Sequence, residues 1–453
     1  MTTLQHLPCT PIDPTGRHPQ ADLAHLRTLG DLVPVELPGG IRAWAPTRHQ
    51  TLKTLLTDPR VSKSPHHWDA WHSGWLTEHP EAQWITAWVG VTSMLTAGGP
   101  DHQRLRRLVA PAFSTRRIHN LRPAIEHITT DLLSNLSTEP AGATVDLRAR
   151  FAQPLPIQVI SDLFGLEPGE REQVGAFATA IMDTATVQDT AITALHTART
   201  ALHQLVARKQ ETPGDDLTTA LIAARDGDDQ LSTDELIDTL VLTLTAGHET
   251  TVHLITNAVV ALLQHPDQLA SVRDGHVPWS TVVDETLRYA GSITTLPLRF
   301  ATHAIDLAGQ RIAPGDAILA TFGGTGWDPD QHGDDAATFN VHREQKPHLA
   351  FGHGVHYCLG APLARMEAEI ALPALFSCFP HLALADGAAL EPLPSFITHG
   401  VRTLDATLTT PASAHSIPAQ RPPRHTEARA GHRPQRTRAT TAPAPARPNP
   451  ARH

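Results

Sequence analysis

Cysteine is scarce in this 453-residue chain: Cys9, Cys358 and Cys378 are the only three, and they lie far apart. Three scattered thiols do not make a disulfide framework, so a reducing compartment, the cytoplasm, is expected. Long apolar runs are missing too. Hydrophobic residues make up 40% of the chain, yet no stretch approaches the ~18–20 unbroken apolar residues of a membrane helix, and no membrane association is expected. The opening residues Met1 to Pro8 hold neither the basic nor the apolar segment of an export signal. Internal repeats are also absent, which argues against solenoid and propeller architectures.

Charge is unevenly spread. The net charge is −10, but residues 411–453 contain eight Arg, no Lys and one Glu, a local +7 that leaves −17 for the rest. From Pro411 the composition turns to Pro, Arg, Ala, Thr and His, which cannot bury enough apolar surface to offset the entropy of ordering. Residues 411–453 therefore read as a disordered, solvated tail, with no nucleic-acid partner expected, and residues 1–410 as the folded domain.

Helix dominates that domain. The strongest signal starts at Ser232-Thr233-Asp234-Glu235, where Ser232 caps and Glu235 completes a capping box, and it runs to His265-Pro266. At ~1.5 Å per residue it is about 50 Å long, and apolar residues surround it, so a buried central helix is expected. Further helices are predicted over 101–136, 154–164, 170–209 and 280–290. Strand signals concentrate in 296–301, 305–307 and 317–321, with turn chemistry between them. The fold class is mainly α with a small β-rich region.

The most informative segment is Phe351-Gly352-His353-Gly354-Val355-His356-Tyr357-Cys358-Leu359-Gly360. Its glycines permit a tight turn, and the amphipathic run from Ala361-Pro362 puts Cys358 just before a helix. A helix N-terminus favours thiolate over thiol, and an anionic sulfur held by backbone donors suits a haem iron that cleaves an O–O bond. A buried unreactive cysteine is one alternative. Zinc bound by His353, His356 and Cys358 is another, disfavoured because no second cysteine pair lies nearby.

At Phe351, Gly354, His356, Cys358 and Gly360 the loop resembles the haem-binding signature of the cytochrome P450 family at every fixed position. Other motifs follow in the family's order, over about residues 10 to 410. Glu285 and Arg288 are similar to its Glu-x-x-Arg pair, with Arg343 as third member, a structural lock beneath the haem; without that context, Glu and Arg at this spacing are commonplace. Ala246-Gly247-His248-Glu249-Thr250-Thr251, a weak stretch for helix formation, resembles the oxygen-binding groove. A local opening of the helix is expected there. The resemblance implies proton relay by Glu249 and Thr250, and contact with the cofactor for Ala246 and Gly247. It does not make His248 an iron ligand, and a packed or hydrogen-bonded His248 is expected.

The same resemblance implies haem b, with Cys358 on the iron, Phe351, Gly352, His356 and Gly360 around it, and His102, Arg106, Arg299 and His356 on its propionates. It assigns a substrate pocket to Trp84, Trp88, Met94, Ile293, Thr294, Leu296, Phe396 and Ile397. It implies a monomeric cytoplasmic monooxygenase of secondary metabolism, acting on an apolar macrolide-, steroid- or terpenoid-like molecule or xenobiotic. Electrons would come from NAD(P)H through a reductase and an acidic ferredoxin, which would dock on a basic cluster formed by Arg104, Arg107, Arg116 and Arg117. Peroxide-driven oxidation, desaturation, phenol coupling and ligand binding without turnover are the alternative functions. One departure from the family pattern, Thr325-Gly326-Trp327-Asp328-Pro329, leaves packing near that loop open.

Overall fold

The helix Thr233–Gln264 organises the molecule. Its capping box is formed as read from sequence, with Glu235 N–H donating to Ser232 Oγ (3.2 Å) and Ser232 N–H to Glu235 Oε2 (2.8 Å). Leu240, Leu244, Val252, Ala258 and Leu262 are wholly buried along it. The helix packs against Pro154–Phe164, Trp279–Tyr289 and Ala361–Cys378. It continues without a break through Ala246–Thr251, so the expected opening is not seen; the Thr250 and Thr251 hydroxyls bond the carbonyls of Ala246 and Gly247 one turn back. Gly247 serves close packing: a Cβ there would lie 2.9 Å from Ile160 Cδ1.

The computed structural model describes residues 4–91, 93–167, 170–171 and 188–408. The tail expected at 411–453 lies outside the described residues, as does 172–187 of the helix expected over 170–209, whose described part is Gln188–Glu211. The single helix expected over 101–136 is instead Gly99–Val109, a 3-10 turn Ala110–Phe113, Thr115–Asn120 and Arg122–Leu136. Pro111 and Pro123 explain the breaks, because neither can donate a backbone hydrogen bond and each is tolerated only in a first helical turn.

About 54% of the described residues are helical. The strands form one six-stranded sheet, in the order Thr10–Pro11, Leu32–Leu37, Ile41–Pro46, Ala317–Ala320, Leu296–Ala301, Val61–Ser62, with a three-stranded and a two-stranded sheet beside it. The hairpin Leu32–Leu37/Ile41–Pro46 was not among the strands expected from the sequence. Gly39 and Gly40, at φ 80° and 76°, make its turn in a region that only glycine enters readily. The last strand matters for the site, because Ser62 pairs antiparallel with Phe300. One residue further along, the pair brings Lys63 alongside Arg299.

Candidate haem site

Cys358 sits where the loop turns into a helix. Gly352 (φ 74°) and Gly354 (φ 73°) reverse the chain, Cys358 N–H donates to the Phe351 carbonyl (2.9 Å), and the helix Ala361–Cys378 follows. The thiol is accessible from one side, while protein packs closely on the others. That burial pushes its pKa up, and the N–H groups of Gly360 and Ala361 and the Arg106 charge oppose the rise. Such donors favour the thiolate once a metal takes the proton's place. Among the described residues no cluster of His, Cys, Asp or Glu could hold a metal by itself, so the zinc site of His353, His356 and Cys358 is not formed.

Beside the loop, five side chains with donor nitrogens converge: Lys63, His102, Arg106, Arg299 and His356. The His102 and His356 rings are 4.0 Å apart, and Arg106 Nη2 donates to the Tyr357 carbonyl at 2.8 Å. Lys63, His102 and Arg299 are 3%, 2% and 6% exposed, and His102 Nε2 and Arg299 Nε have no partner. None of the five is in an ion pair among the described residues. Burial drives the Lys63 pKa well below the lysine range, with Arg299 pushing the same way, and takes Arg299 to about 10. His356 is driven to about 2 by burial, then by Arg299, His102, Lys63 and Arg106. Buried donors with no acceptor are costly, so this pocket fits a ligand edge carrying two carboxylates, as haem does. Sequence reasoning missed Lys63; Val61-Ser62-Lys63 looks like any strand end, and only the pairing with 296–301 gives it a role.

Glu285 and Arg288 are locked in the core. Arg288 Nε and Nη2 donate to the two Glu285 oxygens (2.8 and 2.7 Å), and its remaining donors reach the carbonyls of Gly326, Ala336 and Thr338. Arg343 stands 3.9 Å from Glu285 and binds Asp335 at 2.9 Å. The departure at Gly326-Trp327 is accommodated. Trp327 Nε1 donates to the Tyr289 carbonyl (2.8 Å), and its ring stacks on Tyr289 at 5.4 Å.

Glu249 and Thr250 are adjacent in sequence but ~100° apart around the helix. Thr250 shares a face with the exposed Ala246, whereas Glu249 is 1% exposed and bound by Arg148 Nη2 at 2.9 and 3.1 Å. His248 is buried with Nε2 3.2 Å from the Gln153 carbonyl, in keeping with a hydrogen-bonded rather than a metal-binding role.

The residues expected around substrate are only partly brought together. Segments 293–296 and 396–398 are hydrogen-bonded, Thr294 N–H to Ile397 O (2.8 Å) and Thr295 Oγ1 to Phe396 O (2.8 Å). Trp84 meets Phe396 edge-on at 5.5 Å, and Trp88 packs on the same cluster. Ile293 and Leu296 pack beside Phe322 and Leu349, while Met94 belongs to the main helical core. Two of the four arginines of the expected basic docking cluster are neutralised. Arg104 pairs with Asp229 (2.8 Å) and Glu235 (2.6 Å), and Arg107 with Asp226 (2.7 Å), carboxylates that approach only through folding. Arg116 remains exposed.

A cysteine loop at a helix start, a cationic pocket beside it and a buried Glu–Arg lock in a mainly helical fold define a haem-thiolate protein. The cytochrome P450 family profile matches residues 279–400. The 2-hydroxy-5-methyl-1-naphthoate 7-hydroxylase of Streptomyces carzinostaticus is 38% identical over 89% of this chain and 98% of its own length. The 6-deoxyerythronolide B hydroxylase of Saccharopolyspora erythraea is 37% identical over 80% and 88%. The testosterone-bound structure of CYP154C4 from a Streptomyces species superposes with a TM-score of 0.85, at 40% identity over 90% of this chain and all of that one. This chain belongs to the cytochrome P450 family. It is a monooxygenase of the haem-thiolate class, and no helix among its described residues is long and apolar enough to cross a membrane.

Proposed function

We propose that the enzyme hydroxylates an apolar polycyclic or macrocyclic natural product in the cytoplasm, as a monomer fed from NAD(P)H through a ferredoxin and its reductase. The observation that carries the substrate class is the pair of hydrogen-bonded segments 293–296 and 396–398, which brings Ile293, Leu296, Phe396 and Ile397 together with Trp84 behind Phe396. Relatives named for a naphthoate, a macrolactone and a steroid support the same class.

Haem b would be held by Cys358 and by Lys63, His102, Arg106, Arg299 and His356 on its propionates; when bound it supplies dioxygen activation and oxygen transfer. The chain's own residues do the rest. Gly360 and Ala361 N–H groups stabilise the sulfur's charge. Ile293, Thr294 and Leu296, with Phe396 and Ile397 on the adjoining segment, form one wall that orients substrate and excludes water. Thr250 presents its hydroxyl on the cofactor side of the long helix, and Glu249 on the next face supplies the proton that passes to it, which requires the carboxylate to leave Arg148.

Optical titration with testosterone, a macrolactone and a hydroxynaphthoate, followed by product analysis, tests the substrate class. A low-spin to high-spin change and a monohydroxylated product with at least one of them are expected. Binding of none, with turnover of a small polar compound instead, would overturn it.

A further inference from the structure

Thr250 is tied to the substrate wall by a residue that no motif singles out. Ser292 is buried, and its hydroxyl donates to the Thr250 carbonyl at 2.6 Å. In an unbroken α-helix that carbonyl already accepts the N–H four residues on, from Leu254. The serine bond is therefore a second one: the carbonyl does not need it to be satisfied, but it holds residue 292 against the long helix. Reaching that position requires a sharp turn after Trp279–Tyr289, and Gly291 allows it, since a Cβ there would fall 2.8 Å from the Leu287 carbonyl oxygen. The Thr250 hydroxyl in turn donates to the Ala246 carbonyl, so the residue is held through both its backbone and its side chain.

Ser292 is also where the wall begins. Its own carbonyl accepts from His399 N–H (2.9 Å), Ile293 bridges to Thr398, and Thr294 N–H donates to Ile397 O. Two turns along the same helix face from Thr250, Asn257 Nδ2 donates to the carbonyls of Ala290 (2.8 Å) and His399 (3.0 Å), one in each segment. Between these two ties along the helix lies the buried ring of His253, in space that residue 400 leaves by being glycine; a Cβ there would fall 2.0 Å from His253 Nδ1. Asn257 and this close packing fix the wall away from Thr250, whereas Ser292 bonds it directly to Thr250.

We propose that Ser292 is a positioning residue for the reaction, joining Thr250 to residues 293–296 so that the Thr250 hydroxyl and the surface that meets substrate keep one spacing. The bond is at the short end of the O–H···O range, and Ile293 follows Ser292 directly, so there is little slack between the two. A displacement of the wall is felt at Thr250, and a displacement of Thr250 at the wall. Ser292 acts through these neighbours and not on the reacting atoms, and its role rests on the readings proposed above for Thr250 and for the wall.

Two measurements on the haem-loaded protein test this, and neither needs a substrate or a redox partner. The infrared C–O band of the dithionite-reduced protein under carbon monoxide reports on side chains around the bound gas, and hydrogen exchange followed by mass spectrometry reports on the wall. In Ser292→Ala the band should shift or broaden, and the amides of 292–296 and 397–399 should exchange about two- to tenfold faster, as the loss of one hydrogen bond requires. Ser292→Thr keeps the hydroxyl and should restore both. Thr250→Ala should move the band, and adding Ser292→Ala to it should move it no further, because the serine acts through Thr250. Asn257→Ala should speed exchange in the wall and leave the band in place.

A wild-type band in Ser292→Ala beside a moved band in Thr250→Ala would overturn the proposal and leave Thr250 on the cofactor side. A band unmoved by Thr250→Ala would take Thr250 away from the cofactor and the proposal with it. If Asn257→Ala shifted the band as far as Ser292→Ala, the band would be following general loosening of the wall, and the positioning role would fall. Should the Ser292→Thr variant not fold, the comparison with Thr250→Ala and Asn257→Ala still decides. Whether substrate meets the wall is decided by the optical titration, whose failure would leave these spectra as they are.

Discussion

Gly326 and Arg288 meet backbone to backbone: a Cβ on Gly326 would lie 1.8 Å from the Arg288 carbonyl oxygen. The same glycine's carbonyl accepts from Arg288 Nη1, so one residue both permits and completes the Glu285–Arg288 lock. Gly326→Ala must push the two segments apart and strain that bond. A loss of about 2–3 kcal/mol in urea unfolding is expected, with no change at Cys358 itself. An unchanged unfolding midpoint would mean that the loop gives way at little cost.

Lys63 should be a haem-retention residue. A charge-assisted hydrogen bond contributes about 1.5–3 kcal/mol, so Lys63→Met should release haem to apomyoglobin at least about tenfold faster. Removing a cation from this pocket should also lower the reduction potential of the bound haem. Equal transfer rates and potentials in wild type and variant would leave Lys63 without a role in the pocket.

Charge reversal separates the arginines once expected to act together. Arg104→Glu places a carboxylate against Asp229 and Glu235 at the start of the long helix, so its main effect should be on stability. Arg116 is exposed, so Arg116→Glu should slow reduction by ferredoxin, most at low salt, and leave dithionite reduction unchanged. Equal first-electron rates for Arg116→Glu and wild type across a salt series would move the docking surface elsewhere.

Stability should peak near pH 6.5. Burial holds His253 and His332 at about 4, His332 also beside Arg288, His49 and Arg343, against 6.5 when unfolded. Between pH 6.5 and 4 the unfolded chain therefore binds more protons, and stability falls as pH drops. Glu367 behaves oppositely, because burial raises it from 4.5 to about 8. Its contribution, full below pH 4.5, is lost as pH rises toward 8. Each group is worth on the order of 3–5 kcal/mol. Urea unfolding from pH 4 to 8.5 should trace this curve, and Glu367→Gln should flatten its alkaline limb. An alkaline limb unchanged in that variant would assign it to another group.

Several features were legible because they are local. The capping box at Ser232 and Glu235, the glycines around Cys358 and the Glu285–Arg288 spacing all act within a few residues, so sequence order alone brings the partners together. The central helix was readable for the same reason, since apolar residues on every side demand burial wherever the helix lies.

Tertiary structure alone decided the rest. Arg148 and Glu249 are 101 residues apart in sequence and Arg104 and Glu235 131, and no local pattern announces either pair. Lys63 gains its place from one antiparallel pairing, and His253 its room from the absence of a side chain at residue 400. In sequence each is a lone polar residue, equally suited to solvent. Burial changes that, because a charge or ring removed from water must find a partner across the fold or await a ligand, and which of these applies depends on contacts that exist only after the chain has closed on itself.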